Sequence, residues 1–149
     1  TIFGDAAIEE DYVAPALGWA VTQKLPIIFI CEDNDLSVLT KTEDRRSWKA
    51  VDLAKSLNMY AVDIADDPWL IAHHVKKIKT SGKPGFINIR TVRGIWHAGT
   101  GVDSELEWNR YELVEQEIET MGLSKEMIEI NLENKEKVDL IWQKLQQKL

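Results

Sequence analysis

Two polar residues, Asp5 and Asn34, stand where a chemical site could be assembled, because each follows a stretch typical of a buried strand. A helix between the two strands, residues 1–3 and 27–31, would make a right-handed crossover that brings both carboxyl ends to one sheet edge. Open α/β folds bind ligands at this edge. Three oxygen donors that suit Mg²⁺ would be available there: the Asp5 carboxylate, the Asn34 amide and the backbone carbonyl of Leu36. Phosphate oxygens and water would complete the coordination shell of the metal. The sequence therefore predicts a magnesium site that faces a diphosphate.

At these residues the sequence resembles the thiamine-diphosphate-dependent enzymes, whose signature is Gly-Asp-Gly followed, after a helix and a strand, by a metal-binding asparagine. The segment from Lys24-Leu25-Pro26 to Cys31-Glu32 is similar to the alpha subunit of the 2-oxo-acid dehydrogenase decarboxylating component. The resemblance extends over about residues 1–110 and continues in order through Asp52-Leu53-Ala54, Val62-Asp63, Gly82-Lys83-Pro84-Gly85 and Thr91-Val92-Arg93.

The sequence departs from the alpha-subunit pattern at two positions. Ala6 replaces the second glycine of the signature, which matters only if that position needs a positive φ or a close backbone approach to phosphate. Asp33 stands where the alpha subunits usually have an asparagine, and it brings a further negative charge toward the diphosphate. The segments 33–38 and 91–94 resemble transketolase instead, so the superfamily is better defined than the branch.

The resemblance implies two cofactors, thiamine diphosphate and Mg²⁺. The implied metal ligands are Asp5, Asn34 and Leu36, and the backbone N–H groups of Ala6 and Ala7 are the implied further donors to the diphosphate.

His97 is the candidate catalytic residue. It lies in the glycine-containing stretch 93–101 and is the one side chain there that exchanges protons near neutral pH. In the alpha subunits the fourth residue after the strand-ending arginine is an active-site histidine, and the same count from Arg93 reaches His97. Its implied role is to position or protonate the cofactor-bound substrate. Some relatives carry a phosphorylated serine after this histidine, but Ala98 stands there, so that regulation is not implied.

The resemblance implies decarboxylation of a 2-oxo acid with transfer of the acyl unit to lipoamide. No copy of the pyrimidine-binding domain is recognisable, so a beta-type partner subunit or missing sequence must complete the active site. The resemblance therefore implies a hetero-oligomer. It also implies a lipoyl-bearing acyltransferase as a further partner. Two alternatives stay open: a split transketolase-like enzyme that transfers a ketol unit between sugars, and a catalytically inactive assembly or regulatory subunit, which Ala6 and Asp33 motivate.

The predicted fold class is α/β, a doubly wound and mainly parallel sheet with helices on both faces and a helical C-terminal extension. Residues 1–107 form the diphosphate-binding domain, and residues 108–149 extend the same domain and pack on it or on a partner. Tyr12, Val13, Ala16, Trp19 and Ala20 are predicted to face inward from the first helix. The predicted strands are residues 1–3, 27–31, 60–64 and 86–92. The predicted helices are 11–23, 48–57, 68–80 and 107–121, then two more that begin at 125 and after an N-cap at Asn134.

Composition restricts the class of protein. A chain of 149 residues with a formal charge of -7 can bury one core and is ill suited to nucleic acid or to anionic membranes. The single cysteine, Cys31, falls in a predicted buried strand, where it packs, and one cysteine makes no disulfide. No apolar run spans a bilayer and no signal peptide is recognisable, so we expect a cytoplasmic protein. The chain starts without Met inside a predicted strand, which suggests part of a longer polypeptide.

Several charged residues have a simpler interpretation. Asp11 is expected to cap the first helix, with Glu9 and Glu10 solvated at its positive end. Arg45 and Arg46, in a polar loop predicted over residues 36–47, are interpreted as a solvated charge run. The adjacent His73 and His74 cannot both face one way on a helix, which argues against a shared metal.

Overall fold

A computed structural model describes residues 1–95, 97 and 106–147 of the chain. The described residues form two compact units, Thr1–Trp108 and Asn109–Leu149, the latter described to residue 147. In chain order the elements of the first unit are β1 (Ile2–Gly4), a 3₁₀ helix (Asp5–Glu9), α1 (Val13–Thr22), β2 (Ile28–Asp33), β3 (Leu36–Ser37), β4 (Thr40–Lys41), α2 (Thr42–Arg45), α3 (Ala50–Ser56), β5 (Tyr60–Ala65), α4 (Pro68–Ser81) and β6 (Gly85–Arg90); those of the second are α5 (Arg110–Thr120) and α6 (Ser124–Gln146).

The first unit is built on a four-stranded sheet in the order β1-β2-β6-β5, in which every neighbouring pair is parallel. Two separate apolar clusters pack on it. One joins the sheet to α1 and α3 through side chains such as Leu17, Ala54 and Phe86, and the other joins it to α4 through Ile78 and Ile87. Because alternate residues of a strand point to opposite faces, these clusters cover the two faces. The predicted α/β class with helices on both faces is confirmed.

The turns at α4 follow from local chemistry. Asp67 caps the helix by accepting a hydrogen bond from the backbone N–H of Leu70, at 2.8 Å, and Pro68 occupies the first helical position, where its missing N–H has no cost. Gly82 ends the helix in the left-handed conformation that glycine favours, with φ of 62°. β6 starts three residues later.

The first helix differs from the prediction. Tyr12 and Trp19, which were predicted to face inward, are 66% and 62% exposed. Ala20 is buried as predicted, and Leu17, which was not predicted, is buried beside it. An aliphatic stripe of α1, which includes Val13, Leu17 and Val21, packs against the sheet, whereas Trp19 and the N-cap residue Tyr12 lie outside it. Periodicity alone could not decide between these side chains. Asp11 does not cap this helix, because a 3₁₀ helix precedes it and a backbone hydrogen bond from Val13 N to Glu10 O closes the turn.

The second unit also differs. α6 runs without interruption from Ser124 to Gln146, so Asn134 caps no separate helix. No glycine or proline stands between these residues to break it. Apolar side chains along α6, among them Val138 and Trp142, are exposed. Among the described residues, no helix is long and apolar enough to cross a membrane.

Candidate functional site

Three chain segments leave the sheet at the same edge. β1 and β2 are parallel with Gly4 opposite Glu32, and β2 and β6 are parallel with Asp33 opposite Arg90. The backbone N–H of Thr91 extends the last ladder by donating to Asp33 O at 2.8 Å. The residues that follow each strand, Asp5 and Asn34 included, therefore lie at one carboxyl edge, as the crossover argument requires.

Asp5 is the buried acid of this edge, with 3% of its surface exposed. One carboxylate oxygen, Oδ2, accepts hydrogen bonds from Arg45 Nη2 at 2.5 Å and from Thr42 Oγ1 at 3.3 Å. The other, Oδ1, accepts none from the residues that the structure describes. One oxygen is thus held by the protein, and the other retains its capacity to bind a ligand.

Arg45 and Arg46 contradict the interpretation as a solvated charge run. Their side chains are 12% and 3% exposed. Arg45 Nη1 and Arg46 Nη1 donate to the same Glu9 oxygen at 2.7 and 2.8 Å, and Arg46 Nη1 also donates to Asp5 O at 2.7 Å. The Arg46 guanidinium lies 5.0 Å from the centroid of the Trp48 ring. The prediction was wrong because these residues belong to α2 and its C-cap, which fold over the 3₁₀ helix, and a run of charges does not reveal that docking.

Ala6 and Ala7 lie in the 3₁₀ helix that starts at Asp5. Ala6 is not among the residues with positive φ. Alanine in place of the glycine of the signature therefore introduces no backbone strain. Whether the N–H groups of Ala6 and Ala7 contact a diphosphate stays a prediction.

Asn34 and Leu36 form the turn after β2. Asn34 Oδ1 accepts a hydrogen bond from Leu36 N at 3.1 Å, an Asx-type turn that fixes the amide, and Asp35 between them has a φ of 62°. Leu36 begins β3, which packs against the 3₁₀ helix that carries Asp5. The structure therefore places the three predicted metal ligands on adjoining segments of one edge.

The loop predicted over residues 36–47 has structure of its own. β3 and β4 pair as an antiparallel hairpin whose two-residue turn begins with Val38 at φ of 55°. Glycine is the usual residue at such a position, and a β-branched side chain is strained there. Arg93 Nη2 donates to Val38 O at 2.6 Å, so the segment after β6 holds this turn. Sequence reasoning missed the hairpin because it contains no glycine or proline.

The donor chemistry fits a divalent cation that binds with a diphosphate. A buried carboxylate with one uncommitted oxygen, an amide oxygen and a backbone carbonyl are all hard oxygen donors. Within the described residues no cluster of three or more His, Cys, Asp or Glu side chains could hold a metal. A metal held here therefore needs further oxygens from its ligand or from water, as Mg²⁺ with a diphosphate would have.

Asp33 is committed elsewhere. Its Oδ1 accepts from Asp35 N at 3.0 Å, and its Oδ2 accepts from Asn88 Nδ2 at 3.0 Å. Asn88 is 5% exposed and donates also to Asp63 Oδ1 at 3.1 Å, where Arg90 Nε lies at 3.3 Å. The carboxylate of Asp33 therefore accepts a hydrogen bond from an amide on the neighbouring strand β6. Sequence reasoning missed Asn88, although a polar residue in an otherwise apolar strand was the available signal.

An open cleft of about 450 Å³ lies beside the turn after β2. Asn34, Leu36 and Lys41 line one part of it, and Thr91 and Trp108 line another. The indole N–H of Trp108 donates to both oxygens of Asp66 at 3.1 Å, which fixes the ring. The cleft gives a small ligand access to the edge that carries the predicted donors.

His97 is exposed and lies in a turn beyond β6. Its neighbours Trp96 and residues 98–105 lie outside the described residues. β6 ends at the same edge as β1 and β2, so the stretch begins on the predicted side of the sheet. The catalytic role of His97 stays a prediction.

Cys31 packs in the core, as predicted, and is fully buried. Burial, with the negative charges of Asp33 and Asp5, raises the pKa of its thiol to about 12. A neutral thiol is a poor nucleophile. Cys31 therefore contributes packing beneath the site and no chemistry.

Comparison with known proteins identifies the family. The family model described as "Dehydrogenase E1 component" matches residues 1–149. The chain belongs to the dehydrogenase E1 component family. Dehydrogenase E1 components and transketolases use thiamine diphosphate, generally with a divalent metal. Asp5, Asn34 and Leu36 at this edge are oxygen donors of the kind that a divalent metal bound with a diphosphate requires.

A transketolase from Campylobacter jejuni is among the solved structures similar to this E1 chain. The TM-score is 0.56 at 22% identity, over 60% of the E1 chain and 15% of the transketolase chain. The similarity shows a transketolase-like fold. No curated protein matches the E1 chain significantly in sequence.

Proposed function

We propose that this E1 chain holds the diphosphate end of thiamine diphosphate through a divalent cation, Mg²⁺, bound by Asp5, Asn34 and the carbonyl of Leu36. The observation that carries the proposal is the buried Asp5 carboxylate with one committed and one uncommitted oxygen, on the edge where Asn34 and Leu36 turn.

The reaction we propose is decarboxylation of a 2-oxo acid with acyl transfer to lipoamide. Bound thiamine diphosphate supplies the carbanion-stabilising chemistry. The neutral Asn34 amide binds the cation without adding charge beside the diphosphate, and the backbone N–H groups of Ala6 and Ala7 donate to phosphate oxygens. His97 positions the substrate or exchanges a proton with it.

A second chain completes the site in this proposal. The E1 chain spans about 15% of the length of the transketolase it resembles. Because E1 components typically work in a complex, we infer a beta-type subunit that carries the pyrimidine-binding domain, a hetero-oligomer, and a lipoyl-bearing acyltransferase as the acceptor. Neither nucleic acid nor a membrane is a partner in this proposal, and the complex is cytoplasmic.

Calorimetric titration tests the anchor. Thiamine diphosphate is titrated with Mg²⁺ into the chain co-expressed with its beta-type partner, for the wild type and for Asp5→Asn, Asn34→Ala and Asp44→Asn. Asp44 is an exposed acid in α2, so its variant removes the same charge away from the proposed ligands. We expect magnesium-dependent binding that both ligand variants lose and Asp44→Asn keeps. Equal binding by all four proteins, or none by a folded wild-type complex, would refute the anchor.

A ketol transfer is the second candidate, because residues 33–38 follow the transketolase form of the motif. The two reactions differ in their donors. The reconstituted complex is offered 2-oxo acids with an artificial electron acceptor, and separately a ketose phosphate with an aldose phosphate. Turnover of the second pair alone would reassign the branch. Turnover of neither pair by a complex that binds the cofactor would favour an inactive subunit, although Ala6, being unstrained, no longer argues for one.

A further inference from the structure

Arg45 is bound at the carboxylate that the proposed function assigns to a metal. Its Nη2 contacts Asp5 Oδ2 at 2.5 Å, and its Nη1 contacts Glu9 Oε1 at 2.7 Å. The same Nη2 donates to Thr42 Oγ1 at 3.0 Å. The guanidinium is therefore an internal cation held between two carboxylates.

The surrounding cluster is electrically balanced. Asp5 and Glu9 supply two negative charges, and Arg45 and Arg46 supply two positive charges. All four side chains are largely removed from water, the most exposed being Glu9 at 26%. A divalent cation that approaches Asp5 therefore gains little attraction from the cluster as a whole and meets an adjacent guanidinium at short range.

We propose that Arg45 competes with the divalent cation for Asp5, and so sets the affinity of this site for metal. The inference rests on the proposed function. Binding of the metal weakens or breaks the Arg45–Asp5 contact, because a carboxylate that donates electron density to a cation is a poorer acceptor for the guanidinium. Arg45 is thereby a residue that determines how readily the anchor loads.

Glu9 makes this exchange feasible. A buried charge that loses its only partner is strongly destabilising. Arg45 already donates to Glu9 through its other terminal nitrogen and to the Thr42 hydroxyl, so it can release Asp5 and remain paired. Release of Asp5 therefore leaves Arg45 paired with Glu9, while the bound metal pairs with Asp5.

Binding of Mn²⁺, followed by electron paramagnetic resonance of the free ion, measures the competition without any turnover. The full chain, co-expressed with its beta-type partner, is titrated with Mn²⁺ alone and again with thiamine diphosphate present. The variants are Arg45→Gln, which removes the competing cation, and Arg90→Gln as the matched control. Arg90 lies at the same sheet edge, is 62% exposed and pairs with Asp63, so its variant removes an equal charge without touching Asp5.

We expect Arg45→Gln to bind Mn²⁺ at least about tenfold more tightly than the wild type, as expected for loss of one charge-assisted hydrogen bond. Arg90→Gln should stay within about threefold of the wild type, since exposed charges are screened. Equal affinities for the wild type and Arg45→Gln would overturn the competition while leaving the anchor intact if thiamine diphosphate still strengthens Mn²⁺ binding. Weaker binding by Arg45→Gln would assign Arg45 an orienting role instead. Absence of Mn²⁺ binding by every protein, even with thiamine diphosphate, would refute both this inference and the proposed anchor.

A second variant decides the matter if Arg45→Gln does not fold, as judged by circular dichroism. Glu9→Gln removes the alternative partner and leaves two guanidinium groups to one carboxylate. We then expect Mn²⁺ to bind at least about threefold more weakly than in the wild type. Unchanged or tighter binding by a folded Glu9→Gln chain would overturn the proposal.

Discussion

Asp5 forms a buried ion pair with Arg45, so we expect that replacing Asp5, which we also assign to metal binding, lowers the stability of the fold substantially. Replacement of Asp5 by Asn keeps the side-chain shape and removes the charge. The variant weakens a charge-assisted hydrogen bond of 2.5 Å and leaves one carboxylate, Glu9, to two arginines. Each charged hydrogen bond contributes about 1.5–3 kcal/mol, and an uncompensated buried charge costs about 3–5 kcal/mol. Because Glu9 still compensates in part, we expect Asp5→Asn to lower the free energy of unfolding by about 2–4 kcal/mol.

A double-mutant cycle isolates the pair. Unfolding in urea, followed by circular dichroism, is measured for the wild type, Asp5→Asn, Arg45→Gln and the double variant. We expect the two single costs not to add, with a coupling energy of about 1.5–3 kcal/mol that changes little with salt, since the pair is shielded from water. A coupling energy below about 0.5 kcal/mol, the scatter for independent sites, would show that the two side chains are not paired and would remove the basis for the competition.

Three further predictions concern the scaffold. Gly85→Ala should destabilise the protein by about 1–3 kcal/mol, because an added Cβ would lie 2.6 Å from two carbons of Ile78. Gly18→Ala on α1 should stabilise the protein by up to about 1 kcal/mol, because the added Cβ meets an atom only at 3.9 Å. Urea unfolding compares the two variants, and equal effects would contradict the packing around Gly85. Val38→Gly should stabilise by about 0.5–1 kcal/mol in the same assay by relieving a positive φ, and a loss of stability would show that the turn is unstrained. Burial raises the pKa of the Cys31 thiol from 9.0 to about 12 in the folded protein. The neutral thiol therefore stabilises the fold fully below pH 9 and progressively less as pH rises from 9 toward 12. Cys31→Ala should lose less stability at alkaline pH than the wild type, and parallel curves of unfolding free energy against pH would refute this assignment.

The sheet and its edge could be predicted from the sequence, because buried parallel strands are short apolar runs and crossovers have one hand. The four strands agree with the predicted positions to within two residues, and Asp5 and Asn34 lie at the predicted edge. The sequence pattern was less informative where two sets of apolar residues on one helix had the same helical spacing. At the first helix Tyr12 and Trp19 have helical spacing as the aliphatic residues do, and packing against the sheet selected the aliphatic ones.

The charged part of the site could not be predicted. Arg45 and Arg46 are far from Asp5 and Glu9 along the chain, and nothing local distinguishes a guanidinium that docks on a carboxylate from one in solvent. The Asn88 contacts with Asp33 and Asp63 have the same character. Such pairings depend on how segments dock after the backbone is built, whereas strand periodicity is local.

The strand order β1-β2-β6-β5 has a consequence for the time course of folding. β6, the last of these strands along the chain, lies in the middle of the sheet between β2 and β5, which do not pair with each other. Ile28 meets Gly85 only after a long intervening segment has been made, so the central contacts close a large loop and are slow to form. Until β6 emerges from the ribosome, β2 and β5 each expose an unpaired edge, and the segment before Gly85 cannot complete the sheet. Assembly of the fold therefore waits for the same strand that leads to His97, and the carboxyl edge is completed only after β6 has been made.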